Sequence, residues 1–204
     1  MPSLVEIWRA LHGAWRLLFL DTRGLAEFDG SRSGGLRSFW AIALVLPLNI
    51  AIVAIDRLGP TEDILPPHNV ILQLIGLMIA WPVLLLVIYA LARWYGRAER
   101  YWLFVATYNW TQIPLATAAL LIAAMLTGVS AFVDLAALPT ATGSVALIGW
   151  TAVLAAVALE VAVYAYEWYV AWVSLDAGIA LPIIVVLLDI ASGRALEKIL
   201  SALA

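Results

Sequence analysis

The chain has 204 residues, of which 65% are hydrophobic and only 12% charged, with a net charge of −3 and no cysteine. Soluble domains average roughly 45–50% apolar and about 25% charged residues, so this balance excludes a soluble globule of comparable length. The missing cysteines exclude disulfides, thiolate metal sites and cysteine catalysis, and so small a net charge argues against nucleic acid as a partner.

The first turn reads Ser3-x-x-Glu6, a capping box in which a serine oxygen and a glutamate satisfy free backbone N–H groups. Glu6, Arg9, His12 and Arg16 then recur at spacings of three and four on one stripe of a helix. Leu4, Ile7, Trp8, Leu11, Trp15 and Leu18 cover the rest. These charges interrupt the apolar stretch and no basic segment precedes it, so it does not read as a signal peptide. A broad Trp- and Leu-bearing face beside a basic stripe predicts an amphipathic helix lying in the membrane interface. Asp21–Arg37 is polar and glycine-rich and predicts a cytoplasmic loop, with Gly30–Gly34 as a flexible turn. Residues 1–37 thus form one N-terminal segment.

Long uncharged apolar runs follow. Tyr101–Val133 holds 33 residues without Asp, Glu, Lys or Arg, and about 20 helical residues cross the hydrocarbon core. Spans are predicted at Ser38–Ile55, Asn69–Ala92, Tyr101–Met125 and from Ser144 to about Tyr166 or beyond. Pro47 and Asn49 lie mid-way in the first, where the proline frees a carbonyl that local hydrogen bonding can serve. Pro82 predicts a kink in the second. Connectors are predicted at Asp56–His68, Arg93–Arg100 and Thr127–Gly143. A last apolar piece, Gly178–Ile190, has 13 residues, a rise of about 20 Å against a core of roughly 30 Å. It either re-enters or extends into the amphipathic tail 193–204 to cross. The predicted fold is therefore an all-α, polytopic membrane bundle of about five helices over residues 38–192, preceded by the interfacial helix.

Of the eleven basic residues, five precede the first span, one lies in the next connector, three lie between the second and third spans, and two follow Ile190. Short Lys/Arg-rich loops stay cytoplasmic. The N-terminus and Arg93–Arg100 are accordingly expected inside, in a bacterial inner membrane. Trp94, Tyr95, Tyr101, Trp102, Tyr164, Tyr166, Trp168, Tyr169 and Trp172 flank the same side and read as an interfacial aromatic belt. Small residues four apart at Ala119/Ala123, Ala152/Ala156 and Ala158/Ala162 predict close approach of the third and fourth spans.

Two polar constellations stand out. Tyr108, Asn109, Thr111 and Gln112 precede Pro114 inside the third span, where polar groups must find partners within the bundle. Either they satisfy a kink or they line a polar cavity. Glu160, Tyr164 and Glu167 lie one turn apart on one helix face, and ionisable groups inside membranes usually point inward. No lysine or arginine occurs between Tyr101 and Gly193, against five acids: Asp134, Glu160, Glu167, Asp176 and Asp189. Glu160 is expected to draw on Arg93, Arg97 or Arg100, to accept tyrosine bonds, or to stay protonated, whereas Glu167, Asp176 and Asp189 read as interfacial. His12 and His68 are far apart and no HExxH, GxSxG or Walker loop occurs. No catalytic, cofactor or metal site is therefore predicted, and the chain does not read as an enzyme.

Tyr108, Pro114 and Leu115 form a Tyr-x5-Pro-Leu pattern, and Trp172-x2-Leu175-x2-Gly178 precedes the final apolar helix. With the spacing of the spans, these resemble bacterial members of the Yip-domain membrane proteins over residues 35–192. The resemblance implies fold and topology. The Asp-Leu-Tyr-Gly-Pro motif of the eukaryotic, GTPase-binding branch is absent, and Leu58-Gly59-Pro60 lies on the other side of the first span. The expected function is a non-enzymatic membrane scaffold or assembly protein, binding lipid and either a membrane-protein partner or a second copy. The alternative is a small transporter or channel subunit with a polar route lined by Asn109, Gln112 and Glu160.

Overall fold

The computed structural model describes residues 1–56 and 67–203. Most of the connector expected over Asp56–His68 lies outside the described residues. The rest is helical: α1 (Leu4–Leu18), α2 (Arg32–Ser38), α3 (Ile42–Asp56), α4 (Pro67–Trp94), α5 (Tyr101–Ser130), α6 (Gly143–Leu175) and α7 (Ala180–Leu203), with no strand among the described residues. Among the described residues, three stretches are long and apolar enough to cross a membrane: Arg32–Ile55, Ala98–Ser130 and Gly143–Leu175. Met78–Trp94 is a shorter apolar stretch. Gly178–Ile190 does not end as an isolated short piece. The helix runs on through Gly193 and Arg194 to Leu203.

Two compact units emerge. The first comprises Met1–Ala41, Leu65–Gln112 and Tyr166–Ala204, and the second Ile42–Ile64 and Ile113–Ala165. The chain passes from one to the other within α5, next to Pro114, and within α6, before Tyr166.

In the first unit, α1 turns Ala10, Gly13, Ala14 and Leu17 inward, positions spaced to share one helix face. Ser3 Oγ accepts from the N–H of Glu6 at 3.1 Å, half of the predicted capping box. The glutamate does not complete it. Its carboxylate accepts from Arg37 Nε at 2.9 and 3.1 Å.

Asp21–Arg37 differs from the expected loop. Thr22–Glu27 winds as a 3-10 helix behind an Asp21 cap, and α2 starts behind Ser31, whose Oγ accepts from Gly34 N–H. The glycines that signal a loop by propensity serve close approach instead. A Cβ on Gly13 would lie 2.8 Å from the carbonyl oxygen of Gly24, and one on Gly24 would lie 2.7 Å from that of Gly13. Only a residue without a side chain fits at both places. The basic stripe of α1 is likewise partly spent within the segment, through Arg9–Glu27 at 3.1 Å and Arg16–Asp21 at 2.7 Å.

The first half of α5 is the core of this unit: Tyr101 and every residue from Phe104 to Thr111 are buried, the signature of a helix surrounded on all sides. α4 ends in a Schellman motif. Gly96 has φ +68°, its N–H bonds the Arg93 carbonyl, and Arg97 N–H bonds that of Ala92. Arg100 donates to the carbonyls of Ser174 and Val173 at 2.9 and 3.1 Å, closing otherwise free acceptors at the end of α6. α7 packs along α4, where a Cβ on Gly76 would run into the Leu196 side chain.

In the second unit, Asn49 Nδ2 donates to the Val45 carbonyl at 3.1 Å, a local bond on its own helix rather than to the Ala43 carbonyl that Pro47 frees. Ala152 and Ala156 of α6 are buried, whereas Ala158 and Ala162 are exposed.

Candidate functional site

The polar residues of α5 enter two clusters in the first unit. Asn109 is fully buried, and its oxygen accepts from Trp81 Nε1 of α4 at 2.9 Å. Its Nδ2 approaches Ser38 Oγ at the end of α2 at 2.8 Å, and Ser38 Oγ donates to the Gly35 carbonyl at 2.7 Å. A bonded chain therefore ties α4, α5 and α2 together in an apolar interior, where each unmade bond costs about 1–3 kcal/mol. Thr111 Oγ1 donates to the Tyr108 carbonyl at 3.0 Å, closing a local bond on its own helix. Gln112 is half-buried and takes no part in the chain from Trp81 to Gly35.

The second cluster gathers around the Tyr108 hydroxyl, which donates to Asp189 Oδ1 of α7 at 3.1 Å. The Glu167 carboxyl of α6 lies within interaction range of the same hydroxyl and of Asp189. Glu167 is only 4% exposed, and its Oε1 has no hydrogen-bond partner. Among the described residues neither carboxyl forms an ion pair. Tyr108, Glu167 and Asp189 each lie about 10–14 Å along their helices from the ends near Arg97–Arg100 and Leu175–Gly178, so three segments distant in sequence meet at one level.

Glu160 and Tyr164 belong to the second unit. Tyr164 is half-buried, and Glu160, expected to point inward, is exposed. The arginines considered as its partners are engaged elsewhere: Arg100 on the end of α6, Arg97 4.0 Å from Asp176, and Arg93 over the Tyr89 ring.

No family model, curated protein or solved structure matches this chain.

Sequence reasoning read Glu167 and Asp189 as interfacial, did not connect Asp189 with Tyr108, and did not name Trp81. The one available signal was the excess of acids after Tyr101. It shows that some carboxyl lacks a cation, without showing which. Of the nine aromatics expected in the interfacial belt, Tyr101, Tyr166 and Tyr169 are buried, and Tyr166 donates to the Ala14 carbonyl at 3.0 Å, fastening α1 to α6.

Within the N-terminal segment and the start of α1, a cleft of about 350 Å³ is lined by Glu6, Arg9, Glu27, Asp29 and Arg37 among others. Its charges are largely matched by Arg9–Glu27, Arg37–Glu6 and Arg37–Asp29. Two hydrogen bonds from Ser31, backbone first and then side chain, together with Arg37, hold the Asp29 carboxyl below the usual carboxylate range. The arrangement braces the N-terminal segment internally.

Proposed function

We propose that this is a non-enzymatic, multi-pass membrane protein that assembles with a membrane-embedded partner or a second copy of itself. The observation that carries this reading is Glu160. It lies near the middle of α6, a 33-residue apolar helix, and is exposed between exposed Leu154, Val157 and Val161. A carboxyl facing lipid at that depth is costly, and a neighbouring span offering a donor or cation removes the cost. The polar groups of α5 support the same reading, because Asn109 is spent on holding helices together. A transporter route through Asn109, Gln112 and Glu160 draws less support: Asn109 is fully buried with both its oxygen and its nitrogen bonded to neighbouring helices, and Glu160 is exposed.

The reading includes five crossings in a bacterial inner membrane, by Arg32–Ile55, α4, α5, α6 and α7, with the N-terminus and Arg93–Arg100 cytoplasmic. The 24 residues of α7 rise about 36 Å, enough for the core. It also includes α1 in the membrane interface, where exposed Leu4, Trp8, Trp15 and Leu18 form an apolar stripe opposite the buried Ala10–Leu17 face. Kinship with the Yip-domain proteins remains part of the proposal, resting on Tyr108, Pro114 and Leu115 in α5 and on Trp172, Leu175 and Gly178.

In-membrane crosslinking followed by native mass spectrometry from lipid particles tests it. A stable heteromer or dimer that Glu160→Leu disrupts is expected. A lone monomer in every native lipid preparation would overturn the reading.

A further inference from the structure

A buried oxygen without a partner is the least explained group in the first unit. Glu167 Oε1 is sealed from solvent on a residue 96% buried, with the Tyr108 hydroxyl and the Asp189 carboxyl beside its carboxyl group. Two acids and a phenol from three helices converge there, and no arginine, lysine or histidine pairs with either acid among the described residues. Buried polar groups almost always have a partner, and an orphan calls for an unseen ligand or a functional reason. A packing role leaves the orphan unexplained, because a leucine or glutamine would fill that position without placing a second acid beside Asp189.

We propose that Glu167, Asp189 and Tyr108 form a binding site for one small, hard monovalent cation, an alkali ion or a proton, held against Oε1 of Glu167. The donor set is all oxygen, which selects hard cations over soft ones. Magnesium dehydrates reluctantly and usually keeps several of its waters, a poor match to an oxygen sealed from solvent on a residue 4% exposed, which favours a monovalent occupant. The positive charge removes the cost of the buried carboxylate and joins α5, α6 and α7 through a single ligand. Loss or gain of the ion then changes how firmly those helices hold together. The site is independent of Glu160 and of the assembly reading, so each can fail alone.

The test uses the full chain in lipid nanodiscs and needs no variant to begin. A hydrophobic carbodiimide reacts with a protonated carboxyl in an apolar setting, and mass spectrometry locates the adduct. Labelling of Glu167 is followed in sodium, potassium or N-methylglucamine chloride at constant ionic strength and across roughly pH 5–9, a range that includes titration of buried carboxyls. If the occupant is an alkali ion, sodium or potassium at ten times its Kd lowers the labelling rate about tenfold by mass action. It also raises the thermal midpoint, and both effects disappear in Asp189→Asn. If the occupant is a proton, labelling titrates with pH without regard to the salt, and Asp189→Asn or Tyr108→Phe displaces that titration. Either result supports the site and names its occupant. Labelling that is absent, or indifferent to salt, pH and Asp189→Asn alike, overturns the proposal. Tyr108→Phe, which removes one hydroxyl and keeps the ring, serves if the Asp189 variant does not fold.

Discussion

At the residue scale, the interior polar groups divide into those that hold structure and those that await a ligand. Asn109 belongs to the first kind. Asn109→Leu strips Trp81 Nε1 of its acceptor and Ser38 of its neighbour, so a loss of about 2–4 kcal/mol is expected from the stranded groups. Denaturant titration in mild detergent measures it, and a change within error would show that water replaces the amide. Asp21 offers a pH test outside the spans. Its carboxyl is held well below the usual carboxylate range by Arg23 first and Arg16 second. A depressed folded value means the stabilisation is fully present above the unfolded value of about 3.9. It fades as pH falls from there toward the folded value. The protection of amides 21–28, taken relative to their intrinsic exchange at each pH, should therefore hold down to about pH 4 and fall below it. In Asp21→Asn that acid-dependent change should be absent.

At the element scale, two devices hold the N-terminal segment and the end of α6. Gly13 and Gly24 allow the 3-10 turn to lie against α1. Gly13→Val would force a side chain into the Gly24 carbonyl and the Phe28 ring, and overpacking of that kind costs about 1–3 kcal/mol. Faster proteolysis after Leu20 than in wild type is the expected readout, and unchanged cleavage would show that the segment yields without loss. Arg100→Leu removes a cation and two donors from the end of α6. The charge alone contributes about 0.3–1 kcal/mol at a helix C-terminus, and exchange at Leu175 and Asp176 reports the loss.

Several elements were legible before the fold. Hydropathy marked the start of α5 at Tyr101 and of α6 near Gly143, because an uncharged run of sufficient length is a local property. Capping chemistry at Ser3 was readable for the same reason. Other features depend on distance across the molecule. Glu160 and Glu167 are seven residues apart and nearly eclipsed on α6, so periodicity assigns them one face. Yet Glu160 is exposed and Glu167 buried. What differs is the neighbour at each height: Tyr108 of α5 and Asp189 of α7 meet only Glu167. The Asp21–Arg37 glycines misled for a related reason, since propensity signals freedom and cannot show that the space beside Gly24 is already filled.

At the scale of the whole molecule, topology is the open proposition. Reporter fusions at Met1 and Arg97 should be active in the cytoplasm and one at Thr140 outside it. For five crossings a fusion after Ala204 must also report from the outside, and a cytoplasmic signal there would reduce the count to four. A membrane-embedded helical chain follows from composition and run length alone, because the free energy of placing a segment in lipid is close to a sum over its residues. The meeting of Tyr108, Glu167 and Asp189, and of Trp81, Asn109 and Ser38, follows from no such sum. Those contacts join residues up to 81 positions apart, and their energies arise only once helices are packed closely enough to exclude water and lipid from between them.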